Sequence, residues 1–209
     1  MHGMSMSSVT WYGAVGGYLG MWILMMVPMM LPSLIPMLVR YRQSMHGTVG
    51  IELHGLTALA VLGYFGVWAA LGLVSYGAEL GLHLLKPHAA GRWLPAAAGL
   101  LLLALGAVQF TGWKARQLAR CRREPACSVP GASTTLGALR RGLDLGIECS
   151  RCCGNLMLVL LAIGMTNPLA IVAITVAISA ERLAPSPIRV ARVAGVGVLV
   201  VGLLMMLRG

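Results

Sequence analysis

The stretch GLTALAVLGYFGVWAALGLVSY, residues 55–76, carries no charged side chain. Its apolar residues do not alternate with the two-residue period of a half-buried strand, and the run is far longer than a typical strand of about five or six residues. A helix of about 20 such residues crosses a hydrocarbon core of roughly 30 Å. Away from water the backbone must satisfy its own donors and acceptors, which leaves helices and closed barrels, and barrel strands would alternate. The stretch therefore reads as a transmembrane helix.

Working outward, similar runs at 14–39, 94–112, 143–165, 168–184 and 190–207 bring the number of spans to about six. The predicted fold class is all-α, a polytopic membrane protein with one bundle of transmembrane helices. That single domain covers residues 14–209, follows an outer N-terminal tail at 1–13 and carries a basic cytoplasmic loop at 113–142. Composition agrees: 58% of residues are hydrophobic and 11% charged, against about 25% charged in a soluble domain. Thr166 and Asn167 alone separate the fourth and fifth spans, and Asn167-Pro168 is a turn signal, so those spans form a tight antiparallel hairpin.

The net charge of +10 is not spread evenly. Arg40 and Arg42 flank the first connection. Lys114, Arg116, Arg120, Arg122, Arg123, Arg140 and Arg141 fill the third, and Arg182, Arg189 and Arg192 the fifth. The opposite side holds Lys86, Arg92 and Arg208. Cytoplasmic loops carry the excess of Lys and Arg. The expected setting is the bacterial inner membrane with both termini periplasmic, and the charge calls for a lipid bilayer as partner and no nucleic acid.

Within this frame sulfur dominates. Cys149, Cys152, Cys153 and Met157 fall at i, i+3, i+4 and i+8, on one side of a helix. Thiols and thioethers are soft ligands that select Cu(I), zinc or iron–sulfur clusters over hard cations. Cys121 and Cys127 lie in the basic loop, so all five cysteines face a reducing compartment, where metal binding, redox chemistry or packing is expected rather than structural disulfides. Adjacent Cys152 and Cys153 diverge by about 100° around a helix. Cys149 is therefore expected to pair with one of them, aided by Met157 or by Glu181 from the antiparallel fifth span.

The first span adds Met25, Met29 and Met30 around Pro28, Pro32 and Pro36. Prolines every four residues remove backbone donors, so this helix is expected to be broken or kinked, with its thioethers beside a cavity or filling an irregular core. The histidines, His2, His46, His54, His83 and His88, make no metal-binding array. There is no Ser-His-Asp pattern, glycine-rich phosphate loop or pair of carboxylates at catalytic spacing, which removes hydrolase and kinase readings.

In order, these blocks resemble the bacterial family called domain of unknown function 2182, described as predicted metal-binding integral membrane proteins. The resemblance runs from Trp22 to about Pro185. It is carried by Trp22, Met25, Met29, Met30, Pro32, Pro36 and Met37, then by Gly63, Tyr64 and Trp68. Lys114, Leu118, Cys121, Arg122 and Pro125 follow in the basic loop. The last block is Cys149-Ser150-Arg151-Cys152-Cys153 with Leu156, Met157, Gly164, Met165, Asn167 and Glu181. Gln117 stands where the family has a first loop cysteine, Gly154 where it has Trp, and Arg182 where it has Lys. The resemblance implies metal binding and a helical membrane fold, without a reaction.

The expectation is a membrane protein that binds a soft metal, copper ahead of zinc or haem, for transport, delivery or support of a membrane metalloenzyme. Its expected metal residues are Cys149, Cys152, Cys153, Met157, Glu181, Met25, Met29, Met30 and Cys121. Other membrane subunits or a metal-carrying protein are the expected partners. The rivals are a structural accessory subunit without metal and a membrane thiol-redox or haem protein.

Overall fold

A computed structural model of the chain describes residues 6–45, 50–85, 93–122, 134–165 and 167–208. His2 with the rest of residues 1–5 of the N-terminal tail, His46, Lys86, His88, Arg92, Arg123, Pro125 and Cys127 lie outside the described residues. The described residues form seven helices and no strand: α1 (Met6–Ser44), α2 (Ile51–Leu85), α3 (Trp93–Val108), α4 (Gly112–Arg122), α5 (Thr135–Ile163), α6 (Pro168–Leu183) and α7 (Pro187–Arg208). Four of them, α1, α2, α5 and α7, are long and apolar enough to cross a membrane, and α3 with α4 forms a bent pair that counts as a fifth if the two are taken as one span. Their outer faces are apolar, as Leu24, Leu62, Val74 and Val193 illustrate.

Three expectations are corrected. First, α1 runs unbroken through Pro28, Pro32 and Pro36. The four-residue spacing sets these prolines on a stripe that runs from exposed Leu24 and Pro28 to half-buried Pro32 and Pro36, while Met26, Met29 and Met30 are buried in the core. The lost hydrogen bonds thus fall on a slowly turning stripe away from the Met26 and Met30 side of the helix. Second, the run at 94–112 is not one straight helix, because the chain turns by 63° between α3 and α4. Third, the fifth expected span is α6, whose 16 residues reach only about 24 Å at 1.5 Å per residue. The stretch at 113–142 is also more helical than a loop, being occupied at its two ends by α4 and the start of α5.

The α3–α4 corner accounts for its backbone groups. Gln109, Phe110 and Thr111 donate their N–H groups to the carbonyls of Gly106, Ala107 and Val108. The remaining carbonyl, that of Leu105, accepts from Asn155 Nδ2 of α5 at 2.9 Å. All four carbonyls left over at the helix end are thereby satisfied inside the protein. Thr111 Oγ1 then accepts from Lys114 N at 3.3 Å and starts α4. At the α5–α6 turn, Asn167 Oδ1 accepts from Leu169 N and Ala170 N, with Pro168 in the first helical turn, as the turn signal implied.

Two features fix α5 in the bundle. Against α2 the approach is backbone to backbone: a Cβ on Gly142 would strike the Ala60 carbonyl, and one on Gly63 would meet the Leu139 carbonyl. On the other flank, Lys114 of α4 is buried with Glu181 of α6, Nζ to Oε2 at 2.8 Å, with side chains 1% and 2% exposed. The same ammonium donates to the Cys152 carbonyl at 2.9 Å. One charge pair thus ties α4, α5 and α6 together.

Gly142→Ala is expected to lower the thermal midpoint and yield of the detergent-solubilised protein, since overpacking costs about 1–3 kcal/mol. Gly154→Ala, at a position with open space around it, is expected to leave both unchanged. Lys114→Met strands the Glu181 carboxylate and is expected to cost about 3–5 kcal/mol. Adding Glu181→Gln to that variant is expected to recover much of the loss in the same melting experiment.

Candidate metal centre

The close seam between α2 and α5 sets the first element of the site. It brings Tyr64 of α2, fully buried, against Cys149 of α5, and the phenol donates to Cys149 Sγ at 3.0 Å. A tyrosine in the middle of an apolar span needs a partner for its hydroxyl, and here the partner is sulfur. In the sequence Tyr64 stood out only through the family resemblance; a lone tyrosine inside an apolar span is the signal that could have found it.

Around Cys149 the sulfurs gather. Cys153 Sγ lies 3.8 Å from Cys149 Sγ, one helical turn on, and also donates to the Cys149 carbonyl at 3.0 Å. Met30 Sδ of α1 lies 3.8 Å from Cys149 Sγ. These three residues are at most 1% exposed. Sulfurs around a metal at about 2.3 Å, the zinc–thiolate distance, stand roughly 3.8–4.0 Å apart in tetrahedral or trigonal sites. Both measured separations fall in that range. Among the described residues no group of three His, Cys, Asp or Glu side chains has metal-site geometry, so a centre here takes two thiols and a thioether.

The other expected residues divide by position. Met29 and Met157 are buried in the same core, and Met25 packs against it half-buried. Cys152 does not join Cys149 and Cys153. It is buried in a separate cluster with Leu118 of α4 and Ala191 of α7, against which Cys121 packs. The helical divergence of adjacent residues separates Cys152 from Cys153, and Cys153 is the one that faces Cys149. Glu181 Oε2 is engaged by Lys114, and its Oε1 is buried without a hydrogen-bond partner.

Arg182, one residue beyond Glu181, was not among the expected site residues. Its Nη2 lies 3.8 Å from Cys121 Sγ and its Nη1 4.0 Å from Met37 Sδ of α1. Lys114 was likewise quoted only for its charge and for the resemblance. A lysine just past an apolar run ordinarily reaches for water, and nothing local distinguishes one that turns inward to a carboxylate.

Among the described residues, Cys121, Cys149, Cys152 and Cys153 are free thiols. The arrangement offers soft donors in a dry setting with a cation beside them, suited to a monovalent soft ion and to ligand exchange between sulfurs. No curated protein and no solved structure matches the chain. A family model described as "PpoB2: Copper chaperone" matches residues 19–205, which include every sulfur of this centre. The chain belongs to the PpoB2 copper-chaperone family.

Proposed function

We propose that this protein holds Cu(I) within the membrane at Cys149, Cys153 and Met30 and delivers it to a metal-carrying acceptor or to a membrane metalloenzyme. The observation that carries the reading is that Cys153 Sγ of α5 and Met30 Sδ of α1 each lie 3.8 Å from Cys149 Sγ in the buried core. Membership of a copper-chaperone family supports the choice of copper over zinc. Copper here is cargo, so a site of few ligands serves: it must bind Cu(I) and also release it. Met30 supplies a neutral donor, easily displaced, while the two cysteines supply the affinity. Tyr64, donating to Cys149 Sγ, stabilises that sulfur as a thiolate without itself binding the ion.

Met29, Met157 and Met25, in or against the same core, surround this set and are not counted among its ligands. In the same reading the protein sits in the bacterial inner membrane, with the basic segments at Arg40 and Arg42 and around α4 in the cytoplasm.

Purified protein in lipid nanodiscs, titrated with Cu(I) against a Cu(I) chelator of known affinity, is the test. Wild type is expected to compete for copper. Cys149→Ser with Cys153→Ser is expected to lose tight binding by at least about a hundredfold, and Met30→Leu, which keeps the apolar volume, by about tenfold. Full affinity in the double serine variant would return these residues to plain packing.

A further inference from the structure

The inner sulfur set leaves two thiols unused on another flank of α5. Cys152, 1% exposed, packs with Leu118 and Ala191, and half-buried Cys121 of α4 packs against them. Cys121 Sγ donates to the Glu148 carbonyl, one turn before Cys152 on α5, at 3.2 Å. Beside them stands Arg182, with Nη2 3.8 Å from Cys121 Sγ and Nε buried without a hydrogen-bond partner. The guanidinium is close enough to interact electrostatically with Cys149, Cys152, Cys153 and Cys121 alike. One cation therefore serves two pairs of thiols.

We infer that Cys121 and Cys152 form a second Cu(I) site, the hand-over site, which takes copper from the Cys149–Cys153–Met30 set, with Arg182 as counter-charge to both. The inference rests on that inner set being the one that holds copper. Two neutral thiols binding one Cu(I) release two protons and leave a complex of net charge −1: Cu⁺ + 2 RSH → [Cu(SR)₂]⁻ + 2 H⁺. A thioether adds no charge. An anion buried without a partner is costly, and Arg182 is the cation that meets it at either position.

Transfer between the pairs is ligand exchange: [Cu(SR)₂]⁻ + 2 R′SH → 2 RSH + [Cu(SR′)₂]⁻. Two copper–sulfur bonds break and two form, the protons of the receiving thiols pass to the thiolates left behind, and no electron moves. The negative charge never leaves the neighbourhood of Arg182, so the step does not separate charge in a medium of low dielectric constant. Cys121 completes the logic. It alone among the four described cysteines is partly exposed, so it is where a thiol of an acceptor can attack.

Full-length protein in nanodiscs, with Cu(I) as the probe, tests this. The Cys149→Ser/Cys153→Ser protein is expected to keep one Cu(I) at reduced affinity, and adding Cys152→Ser is expected to abolish it. In the Cys149→Ser/Cys153→Ser protein, Arg182→Gln is expected to weaken that copper about tenfold, with Arg182→Lys restoring most of it. Should the inner-pair variant fail to accumulate, copper loss from Cys121→Ser to a soluble dithiol decides, with release at least about tenfold slower than wild type expected. An inner-pair variant that binds no copper while wild type does, or unchanged release from Cys121→Ser, overturns the hand-over site and leaves the inner site standing. Wild type that binds no Cu(I) overturns both.

Discussion

The Lys114 ammonium is the point on which the thiol-bearing side of this protein depends. It is buried, it meets the Glu181 carboxylate at 2.8 Å, and it donates to the Cys152 carbonyl at 2.9 Å. A charge in such a place is tolerated only when its hydrogen-bonding capacity is used. To reach it, the chain must turn through the corner between α3 and α4 and lay α4 across α5 and α6. That crossing sets Cys121 against Cys152 and brings Arg182 beside Cys121. The carbonyl that Lys114 binds belongs to one of the cysteines themselves, so the pair fixes the backbone of the thiol segment as well as the helices around it.

Across α5 a different force operates. Gly142 and Gly63 let the backbones of α2 and α5 touch, as small residues do where helices pack in membranes without a hydrophobic drive between them. This puts Tyr64 on Cys149, while α1 presents Met30 to the same sulfur. The inner sulfur set is thus a product of three helices, and the neighbouring thiol pair is a product of α4 and α5. Soft ligands in two adjoining groups beside one guanidinium suit an ion that is to be held and passed on, where a closed four-ligand site would suit a structural metal.

Much of the fold was legible because hydropathy reports directly on spans. The runs at 55–76 and 190–207 lie within α2 and α7, and Asn167-Pro168 starts α6. What failed was local reasoning where tertiary contacts decide. The prolines of α1 announce a break, yet their common stripe lets the helix continue. The corner at Gln109, Phe110 and Thr111 has no proline to mark it, and its cause lies in Asn155 and Lys114, distant in sequence. At the candidate site, the spacing of Cys149, Cys152 and Cys153 permitted a shared face, and helical arithmetic allowed only one of the adjacent pair to meet Cys149. Which one it would be depends on α1 and α2, whose placement no periodicity records. Arg182 was named in the sequence, but its role was not legible for the same reason, since its value lies in thiols from two other helices.

Copper X-ray absorption on the full-length protein loaded with one equivalent of Cu(I) bears most directly on the claim that sulfur from Cys149, Cys153 and Met30 holds the cargo. The expected spectrum is that of Cu(I) with a first shell of sulfur alone, and Met30→Leu should remove one sulfur scatterer while copper remains bound. A first shell of nitrogen or oxygen ligands, or a spectrum identical in wild type and the Cys149→Ser/Cys153→Ser variant, would contradict it.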